Sequence, residues 1–180
     1  MRDDFDFIRN ALQYYATARF AAHARFLPVS GNLFHHAIEM SLKAGLVRQR
    51  SLRETKNFWH ELEALWQAFK MDYPDPAIER HDATIATLDK FRKIRYPEAD
   101  WDMGMQLAWS GPPVLVTMGD GVDSPEQYVV VVNDVDNLIV DVLKACSWNP
   151  PALITMSPAA REAINRNNPH SQFLTNTPPG

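Results

Sequence analysis

Two arginines stand where arginines are seldom found. Arg19 projects from an apolar helical face that carries Ile8, Leu12, Tyr15, Ala22 and Phe26, and Arg95 falls angularly between Leu88 and Phe91. An unpaired guanidinium sheltered from water is costly, so each must meet an acid, a carbonyl or a ligand anion. Glu39 is the acid on hand, at the edge of another apolar stripe and four residues after His35. The spacing predicts that three packed helices bring Arg19, Glu39 and Arg95 together. Two chemistries fit such a junction. One is an internal ion-pair network, because buried polar groups are usually satisfied by the protein itself. The other is a phosphate or nucleotide pocket, with the arginines as forked donors and Tyr96 or Tyr15 as a stacking surface. Arg92 and Lys93 would add positive charge beside it. The ligand-binding candidates are therefore Arg19, His35, Glu39, Arg92, Arg95 and Tyr96.

Other chemistries find less support. His36 and Glu39 have i, i+3 spacing, but carboxylate bundles need Glu-x-x-His pairs on two helices, and no second copy exists. His81 shares a face with Ile85 and reads as an interior histidine. Cys146 lies on an inward stripe and the serines sit in loops or at caps, so no nucleophile has a base and an orienting group beside it. Asp120 and Asp123 around Gly121 lack the spaced acids and final Glu of a calcium loop. No glycine-rich phosphate loop follows a strand. The residues call for no metal, no cofactor and no catalytic group. Trp59, Trp66 and Phe69 read as core, whereas Trp101, Trp109 and Trp148 flank a proline-rich stretch and suit a bundle cover or a contact surface.

The chain has 180 residues, about one domain's worth, with 46% apolar and 22% charged residues, a composition able to bury a core. A net charge of −4 gives no global basic field and argues against duplex nucleic acid as a partner. One cysteine makes no intrachain disulfide. The acidic start Met1-Arg2-Asp3-Asp4 is unlike a signal peptide, and no apolar run approaches the ~20 residues of a membrane span. These readings point to the cytoplasm.

Helical periodicity is expected over 5–26, 33–49, 59–73, 75–94 and 133–146. Leu27 to Asn32 reads as a break with Asn32 capping the second helix, and Arg48 to Asn57 reads as a loop. The stretch 98–132 holds two β-prone runs, 114–117 and 128–132, with Gly119-Asp120-Gly121 between them, and predicts an inserted hairpin within about 112–132. A short helix at 158–167 precedes a tail from Asn168 expected to be mobile. Each helix is apolar on one side only, so the stripes must be buried against one another. The fold class is all-α, an up-and-down bundle of about five helices over 1–150, with a C-terminal extension over 151–180.

Four segments occur in an order that resembles the HEPN (higher eukaryotes and prokaryotes nucleotide-binding) domains: Tyr15-Ala16-Thr17-Ala18-Arg19, Phe34-His35-His36-Ala37-Ile38-Glu39-Met40-Ser41-Leu42-Lys43-Ala44, His60-Glu61-Leu62-Glu63-Ala64-Leu65, and Leu88 to Glu98. The resemblance covers roughly 5–98 and the helix at 133–147. It implies a compact bundle, usually dimeric, that is either a metal-independent ribonuclease of toxin or defence type or a non-catalytic partner of nucleotidyltransferases or nucleotides. Ribonuclease members carry an Arg, four to six residues, then His near the last core helix. Here Arg95 is followed by Tyr96, Pro97, Glu98, Ala99, Asp100 and Trp101 with no histidine in reach, and the literal match from Arg53 to His60 lies where the family has a structural histidine. The resemblance thus implies a non-catalytic homodimer with a nucleotide or nucleotidyltransferase partner. The alternative is a ribonuclease that uses Arg95 with His60 or His81.

Overall fold

The computed structural model describes residues 3–92, 105–111, 128–152 and 155–177. Helix α1 (Asp3–His23) carries Asp3, Asp4 and Asp6 in its first turn, where carboxylates complement the helix dipole. It ends because Arg25 turns into the left-handed region (φ 60), letting the Arg25 and Phe26 amides donate back to the Ala22 and Ala21 carbonyls at 3.0 and 2.9 Å. Helix α2 (Leu27–Gln49) begins at once, with Pro28 in its first turn, where no amide hydrogen is needed. The break expected over 27–32 is therefore only residues 24–26, and Asn32 is interior to α2 rather than its cap. So tight a connection packs α1 and α2 as an antiparallel pair.

Between Arg48 and Asn57 the expected loop contains a short helix, α3 (Leu52–Lys56). Ser51 and Glu54 form a reciprocal capping box that starts it. Helix α4 (Leu62–Asp72) has no cap of its own. Its first amide donates to the Asp89 carboxylate of α5 (Asp82–Lys90) at 2.7 Å. The helix expected over 75–94 is divided: Pro76–His81 form a tighter 3-10 turn, capped by Asp75, before α5 proper.

Strand β1 (Met105–Ala108) pairs with β2 (Tyr128–Val131), Met105 opposite Tyr128 and Ala108 opposite Val131. The strand at 128–131 is where it was expected. The pairing is parallel, however, and its partner is 105–108, so this is not the arm-to-arm pairing of a hairpin. The other expected run, 114–117, lies outside the described residues. Helix α6 (Val132–Ala145) follows β2 without a turn, and its Val135, Leu138, Ile139, Val142 and Leu143 are buried. Helix α7 (Pro158–Asn165) is capped by Ser157. The tail expected to be mobile instead forms α8 (Ser171–Thr175), with Ser171 and Leu174 fully buried.

The molecule is all-α, with eight α-helices among the described residues and one two-stranded sheet. Its core joins Ile8, Leu12 and Tyr15 of α1 to Phe34, Ile38 and Leu42 of α2, Trp66 and Phe69 of α4, and the α6 stripe. Gly31 allows α2 to meet Phe91 directly; a Cβ there would lie 2.0 Å from the ring. No described helix is long and apolar enough to cross a membrane.

Candidate functional site

Arg19 is fully buried, and the chain itself satisfies it. Its Nη1 meets Asp136 of α6, its Nε donates to the Ala163 carbonyl at 3.0 Å, and its Nη2 donates to the Arg166 carbonyl. Asp136 also accepts from the Tyr15 hydroxyl, which in turn accepts from the Asn168 side-chain amide at 2.9 Å. Burial, and then the nearby Asp136 charge, push the Tyr15 hydroxyl well above its ordinary range. Burial also raises the Asp136 carboxyl, although Arg19 pulls it down. The expected junction of Arg19 with Glu39 is not formed. The acid that Arg19 needed is Asp136, one helix away from the one predicted.

Glu39 builds a second cluster, at another part of the bundle. Its side chain is fully buried, yet four cation-capable groups reach it. Lys43 Nζ donates to Oε1 at 2.7 Å and to the Trp59 carbonyl at 2.6 Å. His60 Nδ1 lies 2.8 Å from the same Oε1. His36 Nδ1 and His35 Nε2 lie 3.3 and 3.7 Å from Oε2. Burial opposes ionisation of Glu39, but contact with His36, the bond and charge of Lys43, and His60 outweigh it and lower its pKa to about 2. An ionised carboxylate only accepts, so the proton of His60 must sit on Nδ1. In the neutral ring this leaves the Nε2 lone pair free, on a side chain 48% exposed. A carboxylate-tethered imidazole of this kind can accept a proton or a ligand's hydrogen bond.

The helix period explains half of this. His35, Glu39 and Lys43 recur every four residues, on one face of α2. His60 arrives from the α3–α4 connection, where Trp59 adopts φ 49 and its ring is left 74% exposed. Trp59 was expected in the core with Trp66 and Phe69. Only the latter two are there. Tyr14 of α1 stacks on His36 at 5.3 Å between ring centroids, and His36 stands edge-on to His60 at 6.4 Å. The His35 Nδ1 meets the Leu88 carbonyl at 3.0 Å, tying the cluster to α5.

Of the six predicted residues, His35 and Glu39 are together. Arg92 sits at the end of α5, partly exposed, 3.7 Å from both Glu61 and Asp89, the chain neighbours of His60 and Leu88. Arg95, Tyr96 and Lys93 lie outside the described residues. His81 belongs elsewhere, bonded to Asp141 at 2.8 Å. Cys146 is buried, and burial pushes its thiol up to about 11. Among the described residues no group of His, Cys, Asp and Glu is arranged to hold a metal ion. Compared with known proteins, the chain matches no family model, no curated protein and no solved structure.

Proposed function

We propose that the chain is a cytoplasmic, HEPN-like, non-catalytic module that self-associates and takes a nucleotide, or a nucleotidyltransferase partner, on the surface beside the Glu39 cluster. The observation that carries this reading is Trp59. A large aromatic ring held 74% exposed by a left-handed backbone is costly twice over, in hydration and in strain. Next to it stands His60, oriented by a buried carboxylate. An exposed ring for stacking beside an acceptor nitrogen suits a nucleobase, with Arg92 as a forked donor to a phosphate. Glu39 itself is neutralised by Lys43, which favours a binding role over an acid–base one. Self-association is supported by the exposed Phe20, Phe26 and Val29 around the α1–α2 turn.

A thermal-shift series with nucleoside mono- and triphosphates tests the ligand. A nucleotide at 100 times its Kd adds about 2.7 kcal/mol to stability. Trp59→Ala abolishes the shift while leaving the unliganded protein folded. No shift with any nucleotide overturns the ligand reading, and light scattering that shows only monomer overturns self-association.

One observation favours a second reading, a metal-independent ribonuclease. His36 and His60 flank the two oxygens of one carboxylate, so one imidazole can take a proton from a ribose hydroxyl while the other gives one to the leaving oxygen. This reading requires RNA to be degraded by the purified protein and spared by His60→Ala. Intact RNA after long incubation removes it.

A further inference from the structure

We infer that a cleft beside the end of α1, away from the Glu39 cluster, binds a small organic oxyanion, a phosphate or carboxylate head on an apolar body. The cleft has a volume of about 440 Å³, within the range of small-molecule sites. Arg25 approaches it from the α1–α2 turn and Arg166 from the end of α7, while Leu27 and Leu107 give it apolar wall. His23, stacked on Trp109 at 4.3 Å between ring centroids, completes it together with Ala22 and Asn167.

Two observations converge on an anion. First, no carboxylate lines the cleft, in a chain with 22 acidic residues and a net charge of −4. Second, neither Arg25 nor Arg166 has an ion-pair partner among the described residues, although most of the other described arginines do. Both are exposed, and with no acid beside them they make a local positive patch. His23, on the wall of the cleft, lies beside the backbone of Ala163 and Arg166, whose carbonyls favour its protonated form.

The local field agrees with this. His23 is harder to protonate than usual because of burial first, and then because of the positive charges of Arg19 and Arg166. Arg19 stands behind the Trp109 ring, 5.5 Å from its centroid. Its own charge is already matched by Asp136, so it supports the cleft without being available to a ligand. Arg25 and Arg166 are the ligand's donors, and their planar forks suit an oxyanion.

Isothermal titration of the full chain with inorganic phosphate, phenyl phosphate and benzoate tests the assignment. Phenyl phosphate and benzoate together separate the two head groups, and inorganic phosphate isolates the contribution of the apolar body. Saturable one-to-one binding of at least one aromatic probe is expected, tighter than that of inorganic phosphate and weaker at high salt. The double substitution Arg25→Gln, Arg166→Gln should weaken it roughly tenfold or more. Neither side chain makes a bond that the fold needs, so far-UV circular dichroism of the double variant should match the parent. Absence of saturable binding by any probe overturns the inference, as does unchanged affinity in a folded double variant. Equal affinity for phenyl phosphate and inorganic phosphate overturns the apolar-body part. Trp59→Ala leaves this binding intact, so the test stands or falls separately from the nucleotide reading.

Discussion

Arg19 and Asp136 neutralise each other across the core, one from α1 and one from α6, with neither side chain reaching solvent. Removing one member of such a pair leaves the other charged and buried, which typically costs about 3–5 kcal/mol. Replacing both with apolar groups of similar size is far milder. Asp136→Leu and Arg19→Met should therefore each lower the urea-unfolding midpoint sharply, and the two together should recover part of the loss, the carbonyls of Ala163 and Arg166 remaining unmatched. A double variant as damaged as the sum of the singles would show that the charges are not the coupling.

Glu39 predicts an acid-side signature. Its folded-state pKa of about 2 lies below the ordinary 4.5, so its ionised form is the one that folding favours. The stability this contributes is fully present above about pH 4.5 and is lost as pH falls through that value toward 2. The difference in unfolding free energy between the parent and Glu39→Gln should shrink across that window as the pH falls. Taking the difference cancels the opposite contribution of Asp136, whose carboxyl is raised. A difference that holds steady down to pH 2 would mean that Glu39 titrates normally.

Gly31 predicts a packing penalty. An added methyl would enter the Phe91 ring at 2.0 Å, so either α2 or Phe91 must move. Overpacking of this kind costs about 1–3 kcal/mol, and the better helix propensity of alanine returns up to about 1. Gly31→Ala should thus be destabilising overall. Gly31→Ala with Phe91→Leu should restore part of the loss, as measured by thermal unfolding.

Much of the architecture is legible in the periodicity, because one-sided helices leave no other way to bury their stripes. The need of Arg19 for a partner is legible too. Its partner also leaves a signal in the sequence: Asp136 lies three residues before Ile139 and seven before Leu143, on the same inward stripe of α6. The α3 helix was likewise announced by Ser51-x-x-Glu54. The position of Trp59 was not foreseeable in the same way. Its apolar spacing fits the α4 face, and only the left-handed turn before α4 throws it outward. The parallel partner of 128–131 was hidden for a related reason, since a pairing across some twenty intervening residues leaves no local pattern.

The partners of Arg19 follow it by 117, 144 and 147 residues. During translation, the α1–α2 hairpin has all its own sequence long before Asp136 or the carbonyls of Ala163 and Arg166 leave the ribosome. At a usual ~5–20 residues per second, the delay is on the order of ten seconds. For that interval the nascent hairpin carries an unmatched cation on the very face that it must later enclose, and cannot close prematurely around it. The seam around Arg19 is completed only once α6 and α7 have been made.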